Sequence, residues 1–312
     1  MTEISLIPNK VVTYNDDDTY KIAIIQTGSW GDNINSTLML EPLKAKYPQS
    51  IIDIYTSTLY GSAFHNNPYV QNVIEYAADN KRDALHLSVL IPNTLEGKGY
   101  NKIFNPHPMY NPDKWTSLKY PEAGTNLICA WLRALEDFDV EYAKPPKTIL
   151  RLSDEENRRV ENYILHVPNM GGGKNYLMEV SGESGQTQWN KDWTLAVGKY
   201  LLRNHNANLF ISSRSDGITQ ELNNLGHGKA HFVGGLSIRE CAGLFNKCQA
   251  FFSVSSGLSN ACNTNACRTD VLWFEVTNSP AVTSAPIRST GKHFYHGNDI
   301  QEYIGILSNN GV

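Results

Sequence analysis

The sequence has 312 residues, of which 41% are hydrophobic, and a formal net charge of −4. This length suffices for two domains with full hydrophobic cores, and the composition excludes an intrinsically disordered chain. The acidic balance gives no support to a duplex-binding surface, because such surfaces bind phosphates through lysine and arginine. No apolar run is long enough for a membrane helix, and the N-terminus lacks the pattern of a signal peptide. We therefore expect a soluble, cytoplasmic protein.

Residues 21–48, KIAIIQTGSWGDNINSTLMLEPLKAKYP, place a strand, a turn and a helix in direct succession. The apolar run 22–25 is typical of a strand that is buried on both faces in a parallel sheet. Gly28 and Gly31 bracket the turn, and Asp32 is an N-cap residue type for the helix that follows. Ligands bind at the carboxyl ends of strands in open α/β sheets, so Asp32 lies where an active site is expected. A role as a helix cap only is the simpler alternative.

The rest of the first half alternates strands with helices, and this alternation predicts a doubly wound parallel sheet. We expect further strands at 51–56, 72–76 and 84–90, and a helix at 126–135. Residues 103–121 are rich in Pro, Asn, His and aromatic side chains, including His107, and are interpreted as a loop that recognises a substrate. Residues 143–147, AKPPK, are the best candidate for a linker between domains.

The second half repeats the pattern, with a charged helix that begins after Ser153. We expect strands at 176–180, 207–213 and 250–254, and helices at 192–202, 238–247 and 298–307. Small polar residues fill the turns 181–187 and 254–260, each between a strand and a helix. Such turns leave backbone N–H groups available, which suits a diphosphate. A metal site at His227 and His231 is disfavoured because glycines flank His227, and Trp193 is assigned to the core.

Residues 21–76 resemble, without a gap, the start of the heptosyltransferase-like glycosyltransferases, family 9. The resemblance rests on Gly31-Asp32 before a helix that ends LKAKYP, on the strand IIDIY, and on the segment NPYV at 67–70. In that family the acid after the glycine is regarded as the general base. The resemblance therefore implies that Asp32 takes a proton from the acceptor hydroxyl.

The resemblance is weaker over residues 176–275. A glycine-containing turn before a tryptophan-marked helix and a second small-residue turn match the family, but three positions depart from it. Ser255 replaces the family's acid, Asn260 replaces its histidine, and Thr187 stands where a lysine is often found.

The resemblance implies an α/β fold of two Rossmann-like domains that face each other across a cleft, the arrangement called GT-B. We expect an acceptor-binding domain at 1–145 and a nucleotide-sugar-binding domain at 146–312, and we allow the last helix to pack back on the first domain. The implied activity is inverting transfer of a sugar from a nucleotide-sugar to an acceptor hydroxyl, with no metal and no other cofactor. The predicted donor-binding residues are Ser184, Gly185, Thr187, Lys191, Arg214, Ser255, Ser256, Gly257, Leu258 and Asn260, and the predicted acceptor-binding residues are Gly28, Ser29, Trp30, Gly31 and His107.

Two alternatives stay open. The departures at Ser255 and Asn260 are compatible with a non-catalytic nucleotide-binding module on the same scaffold. The aromatic segment 104–120 leaves nucleic acid or protein as an acceptor class, although the acidic pI of about 6.1 disfavours nucleic acid.

Overall fold

The computed structural model describes residues 6–14, 18–106, 148–167, 173–180, 191–212, 217–226, 228–253, 256–262 and 299–309, and the backbone of 268–273 and 292–296. Among these residues the chain forms two compact units, one up to Arg151 and one from Leu152 onward. The predicted domain boundary at 145–146 and the predicted helix 126–135 lie outside the described residues.

The first unit contains a four-stranded parallel sheet, as the alternating pattern predicted. Its strands are β1 (Lys21–Ile25), β2 (Ile51–Ser57), β3 (Asn72–Tyr76) and β4 (Lys102–Phe104), in the order β3-β2-β1-β4. Every residue of β1 is buried, because the sheet is covered on both faces. Ile22 and Ile24 pack into one core and Ala23 and Ile25 into another. Strand β4 lies at the start of the segment that we had interpreted as a loop.

The helix after β1 begins earlier than predicted and is interrupted. It consists of α1 (Trp30–Ser36), a 3-10 segment (Thr37–Met39) and α2 (Leu40–Lys46). Ser29 is the N-cap of α1, so Asp32 occupies the third helical position and not the N-cap position that the sequence suggested. Asp32 still serves the same helix end, because an acid at this position completes a capping box.

The predicted strand at 84–90 is wrong. These residues belong to α3 (Lys81–Leu90), which is capped by Asn80, whose side-chain oxygen accepts a hydrogen bond from the N–H of Asp83 at 3.1 Å. Ala84 and Leu87 are buried at helical spacing. The cap and this three-residue spacing outweigh the β-strand character that the run of apolar residues suggested.

The second unit contains a six-stranded parallel sheet in the order β10-β9-β8-β5-β6-β7. Its strands are β5 (Asn175–Met178), β6 (Asn208–Ile211), β7 (Ala230–Phe232), β8 (Ala250–Ser253), β9 (Arg268–Trp273) and β10 (Lys292–His296). The predicted strands at 176–180, 207–213 and 250–254 correspond to β5, β6 and β8.

The helices of the second unit are α4 (Asp154–His166), α5 (Lys191–His205), α6 (Ile218–Gly226), α7 (Ile238–Phe245), α8 (Gly257–Ala261) and α9 (Ile300–Asn309). Trp193 is buried, which confirms its assignment to the core, and its ring lies 5.4 Å from that of Tyr303. Tyr303 and Leu307 join the same core, so the last helix packs within the second unit. Within the described parts of the chain, no helix is both long and apolar enough to span a bilayer.

Helices α4 and α7 are joined by two ion pairs near their N-terminal ends. The guanidinium of Arg239 donates two hydrogen bonds to Glu156, from Nε at 2.6 Å and from the terminal nitrogen at 2.9 Å. In the opposite direction, Nε of Arg159 lies 3.0 Å from Glu240. Both glutamates also complete the capping box of their own helix, so each one stabilises a helix end and a helix pair at once.

Candidate active site

Asp32 lies near the point where the strand order of the first sheet reverses. The chain passes from β1 to β2 and β3 on one side, whereas β4 pairs with the other side of β1. In an open α/β sheet, ligands usually bind in the crevice at the carboxyl ends of the two adjacent strands between which the strand order reverses. Residues 26–32 connect the carboxyl end of β1 to α1, so they lie beside this crevice.

The carboxylate of Asp32 is anchored through one of its two oxygens. Oδ2 accepts hydrogen bonds from the N–H of Ser29 at 2.8 Å and from the Ser29 hydroxyl at 2.7 Å. These bonds confirm the capping role. Oδ1 has no hydrogen-bond partner among the described residues, and the side chain is only partly buried. Asp32 is therefore fixed in orientation while one carboxylate oxygen stays available to accept a proton.

Gly28 has no side chain where the carboxylate of Asp32 lies. A Cβ atom at position 28 would come within 2.7 Å of both Cβ and Oδ2 of Asp32. The N–H of Gly28 donates to Oε1 of Gln26 at 2.9 Å, which holds the turn close to the end of β1. A glycine at this position is therefore needed for the observed position of the acid.

Asn33 attaches the turn to the neighbouring strand. Its amide nitrogen donates to the carbonyl oxygens of Gly28 at 2.7 Å and Ser29 at 2.9 Å, and its oxygen accepts from the Thr56 hydroxyl at 3.0 Å. The side chain is completely buried. The sequence analysis did not identify this role, because the contact with β2 becomes visible only in the fold.

The sequence analysis also missed a group of buried polar atoms at the carboxyl end of this sheet. They are Nε2 of Gln26, Oγ1 of Thr27, Oδ1 of Asn35 and Oγ of Ser57, and within the described ranges none of them has a hydrogen-bond partner. A buried polar group without a partner destabilises a fold by about 1–3 kcal/mol, so four such atoms at one edge of the sheet are available to hydrogen-bond a ligand or water there. The polar residues Gln26 and Thr27 directly after an apolar strand were the signal for them in the sequence.

Four of the five predicted acceptor-binding residues lie in the turn and first helical turn that contain Asp32. Ser29 and Gly28 hold Asp32, as described above. Trp30 opens α1 and packs, partly buried, against the core of the first unit. Gly31 follows in the same helical turn. His107 lies outside the described residues.

Of the predicted donor residues, Lys191 is the first residue of α5. Its ammonium nitrogen lies 3.8 Å from a carboxylate oxygen of Glu221, and both side chains are exposed. An ion pair between exposed side chains contributes about 0–1 kcal/mol, so Lys191 can leave it at little cost. Ser184, Gly185, Thr187, Arg214 and Ser255 lie outside the described residues.

In the turn before α8, backbone and hydroxyl groups form hydrogen bonds with each other. Ser256 is the N-cap of this helix, and its N–H donates to the Ser259 hydroxyl at 3.0 Å. The N–H of Ser259 donates in turn to Oγ of Ser256 at 3.0 Å. The expectation that this turn offers free N–H groups is therefore wrong at Ser256. Leu258 is buried and packs, whereas Oδ1 of Asn260 is a buried atom without a hydrogen-bond partner in the described parts of the chain.

A carboxylate that the sequence analysis did not consider lies beside this turn. Oε2 of Glu179 accepts hydrogen bonds from the hydroxyl of Ser253, at 2.7 Å, and from that of Ser256. Glu179 directly follows β5, and Ser253 is the last residue of β8. A negative charge is thus present at the turn where the sequence, with Ser255 in place of the family's acid, suggested that it was lost.

The cysteine and histidine side chains described below for the second unit do not indicate a nucleophile or a metal site. Burial first, and then the charges of Glu179 and Glu240, raise the pKa of the Cys241 thiol to about 12, so this cysteine is a poor nucleophile. Burial lowers the pKa of His231, which lies on β7 and not on a helix. Within the described ranges, no three His, Cys, Asp or Glu side chains cluster as metal ligands do.

Comparison with known proteins shows similarity in structure only. No family model and no curated protein match the sequence. A family 9 glycosyl transferase from Veillonella parvula is similar, with a TM-score of 0.70, 13% identity, and coverage of 94% of this chain and 90% of that one. The E. coli ADP-heptose LPS heptosyltransferase II gives a TM-score of 0.64 at 14% identity, covering 94% of this chain and 100% of its own.

A third solved structure, the E. coli heptosyltransferase WaaC with ADP, gives a TM-score of 0.61 at 12% identity, with the same coverage of 94% and 100%. The chain has the GT-B fold. The resemblance noted in the sequence is thereby confirmed at the level of the fold, over nearly the whole chain. At these identities the comparisons carry no residue assignments.

Proposed function

We propose that this protein is a glycosyltransferase that transfers a sugar, with inversion, from a nucleotide-sugar to an acceptor hydroxyl. The observation that carries the proposal is the position of Asp32: its carboxylate lies where the strand order of the first sheet reverses, is anchored through Oδ2, and has no hydrogen-bond partner at Oδ1 among the described residues. Two solved structures of similar fold support it, since one is a family 9 glycosyl transferase and the other an ADP-heptose heptosyltransferase.

In the proposed reaction, Oδ1 of Asp32 accepts the proton of the acceptor hydroxyl while the hydroxyl oxygen attacks the anomeric carbon of the donor sugar. A new C–O bond forms on one face of the sugar. The bond from the anomeric carbon to the phosphate oxygen breaks on the opposite face, and the nucleoside diphosphate leaves with the electron pair. The configuration at the anomeric carbon is therefore inverted.

The negative charge that develops on the leaving diphosphate needs a cation or N–H donors. Lys191 is a candidate because its ion pair with Glu221 is exposed and weak. Arg214 and the turn 181–187 are the other candidates from the sequence. The scheme requires no metal ion.

A donor panel tests this proposal. The protein is incubated with ADP-, GDP-, UDP- and dTDP-sugars, ADP-heptose among them, and its thermal stability and the release of nucleoside diphosphate are followed with mono- and oligosaccharide acceptors. A ligand that binds only the folded state stabilises it by about 2.7 kcal/mol at a concentration 100 times its Kd. We expect one nucleotide class to stabilise the protein and to be consumed. Stabilisation without consumption would favour the non-catalytic module, and no stabilisation by any donor would contradict the proposal.

A further inference from the structure

The strand order of the second sheet reverses between β5 and β8. Strand β5 is the first strand of this sheet in the chain; β6 and β7 follow on one side of it, and β8, β9 and β10 lie on the other. Strands β5 and β8 pair directly, in parallel. The carboxyl ends of these two strands therefore flank the expected ligand crevice of the second sheet.

Glu179 lies at this point and is held from both strands. Its N–H donates to the carbonyl of Phe252 at 2.8 Å, which extends the pairing of β5 with β8 by one residue. Its carboxylate accepts from the Ser253 hydroxyl at the end of β8 and from the Ser256 hydroxyl at the start of α8. Oγ of Ser256 is itself fixed by the N–H of Ser259. The carboxylate is thus positioned before any ligand arrives.

The direction of these hydrogen bonds limits what this part of the crevice can bind. A serine hydroxyl has one proton, and both Ser253 and Ser256 direct theirs to Glu179. Neither hydroxyl is then a donor for phosphate, and the N–H of Ser256 is engaged by Ser259. The carboxylate itself accepts hydrogen bonds and repels an anion. The chemistry at this point favours a ligand group with O–H donors over a diphosphate.

We propose that Glu179 determines donor specificity by accepting hydrogen bonds from vicinal hydroxyls of the nucleotide-sugar. This inference rests on the proposed function. The sequence analysis had placed a diphosphate at the turns 181–187 and 254–260 together. The inference excludes the diphosphate from the position of the Glu179 carboxylate and the Ser256 hydroxyl, and assigns to that position the hydroxyls of the ribose or of the transferred sugar. Glu179 is a binding residue in this account and takes no proton from the reaction.

The test compares the wild type with Glu179→Gln, which keeps the size of the side chain and an oxygen that accepts from both serines, but removes the charge. Glu155→Gln, on the exposed first turn of α4, is the matched control for loss of a surface charge. Dissociation constants are measured by calorimetry for ADP, GDP and UDP, for their 2′-deoxy forms, and for the corresponding nucleotide-sugars.

If the ribose is held, the diphosphate that binds the wild type best loses about tenfold or more in affinity when its 2′-hydroxyl is removed, and Glu179→Gln causes a similar loss. In that variant, removal of the hydroxyl then changes affinity less than about twofold, because the partner is already gone. If the transferred sugar is held, Glu179→Gln leaves the diphosphates unchanged and weakens the nucleotide-sugar about tenfold. Glu155→Gln matches the wild type in both cases.

Tighter binding of the diphosphates by Glu179→Gln would overturn the inference, since it would mean that the carboxylate faces phosphate. Equal affinities of Glu179→Gln and the wild type for every ligand would overturn it as well. Both results leave the proposed function in place. Absence of binding of all these nucleotides to the wild type would instead contradict the proposed function itself.

Discussion

Gly28 and Asp32 are mutually dependent: an alanine Cβ at position 28 would lie 2.7 Å from Oδ2 of Asp32, closer than non-bonded atoms approach each other. Both residues are held in place by hydrogen bonds, because Oδ2 of Asp32 accepts from the N–H of Ser29 and the N–H of Gly28 donates to Gln26. The proposed base therefore has its present position only while residue 28 has no side chain.

The first prediction concerns this contact. In Gly28→Ala, the carboxylate has to move, so we expect turnover of the donor to fall about tenfold or more, and unfolding to become easier by roughly 1–3 kcal/mol, which is typical of overpacking. Gly235→Ala is the control, because a Cβ there has no neighbour within 4 Å. Steady-state kinetics and chemical denaturation of both variants check the prediction. Normal turnover in Gly28→Ala would show that the position of Asp32 does not matter for the reaction.

The second prediction concerns the two ion pairs between α4 and α7. Arg239 is 3% exposed and the side chain of its partner Glu156 is 21% exposed, so Arg239→Ala leaves a partly buried carboxylate without its cation, and we expect the second unit to lose roughly 1–3 kcal/mol. The side chain of Arg159 is 57% exposed, but that of its partner Glu240 is 1% exposed. Arg159→Ala therefore leaves a buried carboxylate without its cation and should cost as much or more. Urea denaturation of the two variants gives both values. A loss of less than about 0.5 kcal/mol in Arg159→Ala would contradict the importance of burial.

The ion pair of Arg239 with Glu156 also makes the stability of the second unit depend on pH in the acid range. Burial acts to raise the pKa of Glu156, but the hydrogen bonds and charge of Arg239 outweigh it and hold this pKa below its ordinary value of 4.5. A lowered pKa in the folded state means that the contribution to stability is present above pH 4.5 and is lost as the pH falls below it. Arg239→Ala should therefore lose less stability than the wild type on acidification over that interval.

The third prediction concerns a tyrosine cluster in the first unit. Asp53 is fully buried and accepts hydrogen bonds from the hydroxyls of Tyr14 and Tyr100, each at 2.7 Å. Burial, with the charge of Asp53, raises the pKa of Tyr55 from 10.0 to about 12, although the hydrogen bond with Tyr100 acts to lower it. Burial and the bonds to Asp53 raise the pKa of Tyr14 and Tyr100 as well.

A raised tyrosine pKa means that the unfolded chain ionises first. The stability from Tyr55 is complete below pH 10 and is lost as the pH rises through about 12. Ultraviolet titration of phenolate and urea denaturation across this interval measure both effects, and Tyr55→Phe should show a shallower loss of stability. Ionisation of all the tyrosines near pH 10 in the folded protein would contradict the prediction.

The fold was largely predictable because buried parallel strands are short apolar runs with small polar turns. β1, β2 and β3 lie where those runs predicted them. The helix Lys81–Leu90 was mistaken for a strand because Leu85, Leu87 and Val89 alternate with polar residues, and the decisive signal was the cap pair Asn80 and Asp83. Propensity over a short run does not distinguish a buried strand from a buried helix.

The candidate site was predictable only in part. Asp32 follows from the strand-turn-helix pattern, but its anchoring by Ser29 and the requirement for Gly28 are three-dimensional. Glu179 was missed because its partners, Ser253 and Ser256, are more than seventy positions away in the chain, as the separations of 74 and 77 show. Neighbouring strands in a parallel sheet are distant in sequence, so the residues of a site at a reversal of strand order come together only in the folded chain.

The most direct test of the proposed mechanism compares two capping acids of the first unit. Asp32 and Asp83 both accept a hydrogen bond from the residue that caps their helix, and only Asp32 lies at the carboxyl end of β1. With the donor that the panel identifies, Asp32→Asn should bind that donor normally and turn it over about a hundredfold or more slowly, because an amide cannot take the acceptor's proton. Asp83→Asn should retain wild-type turnover. Equal turnover by Asp32→Asn and Asp83→Asn would show that Asp32 only caps its helix, and would contradict the account.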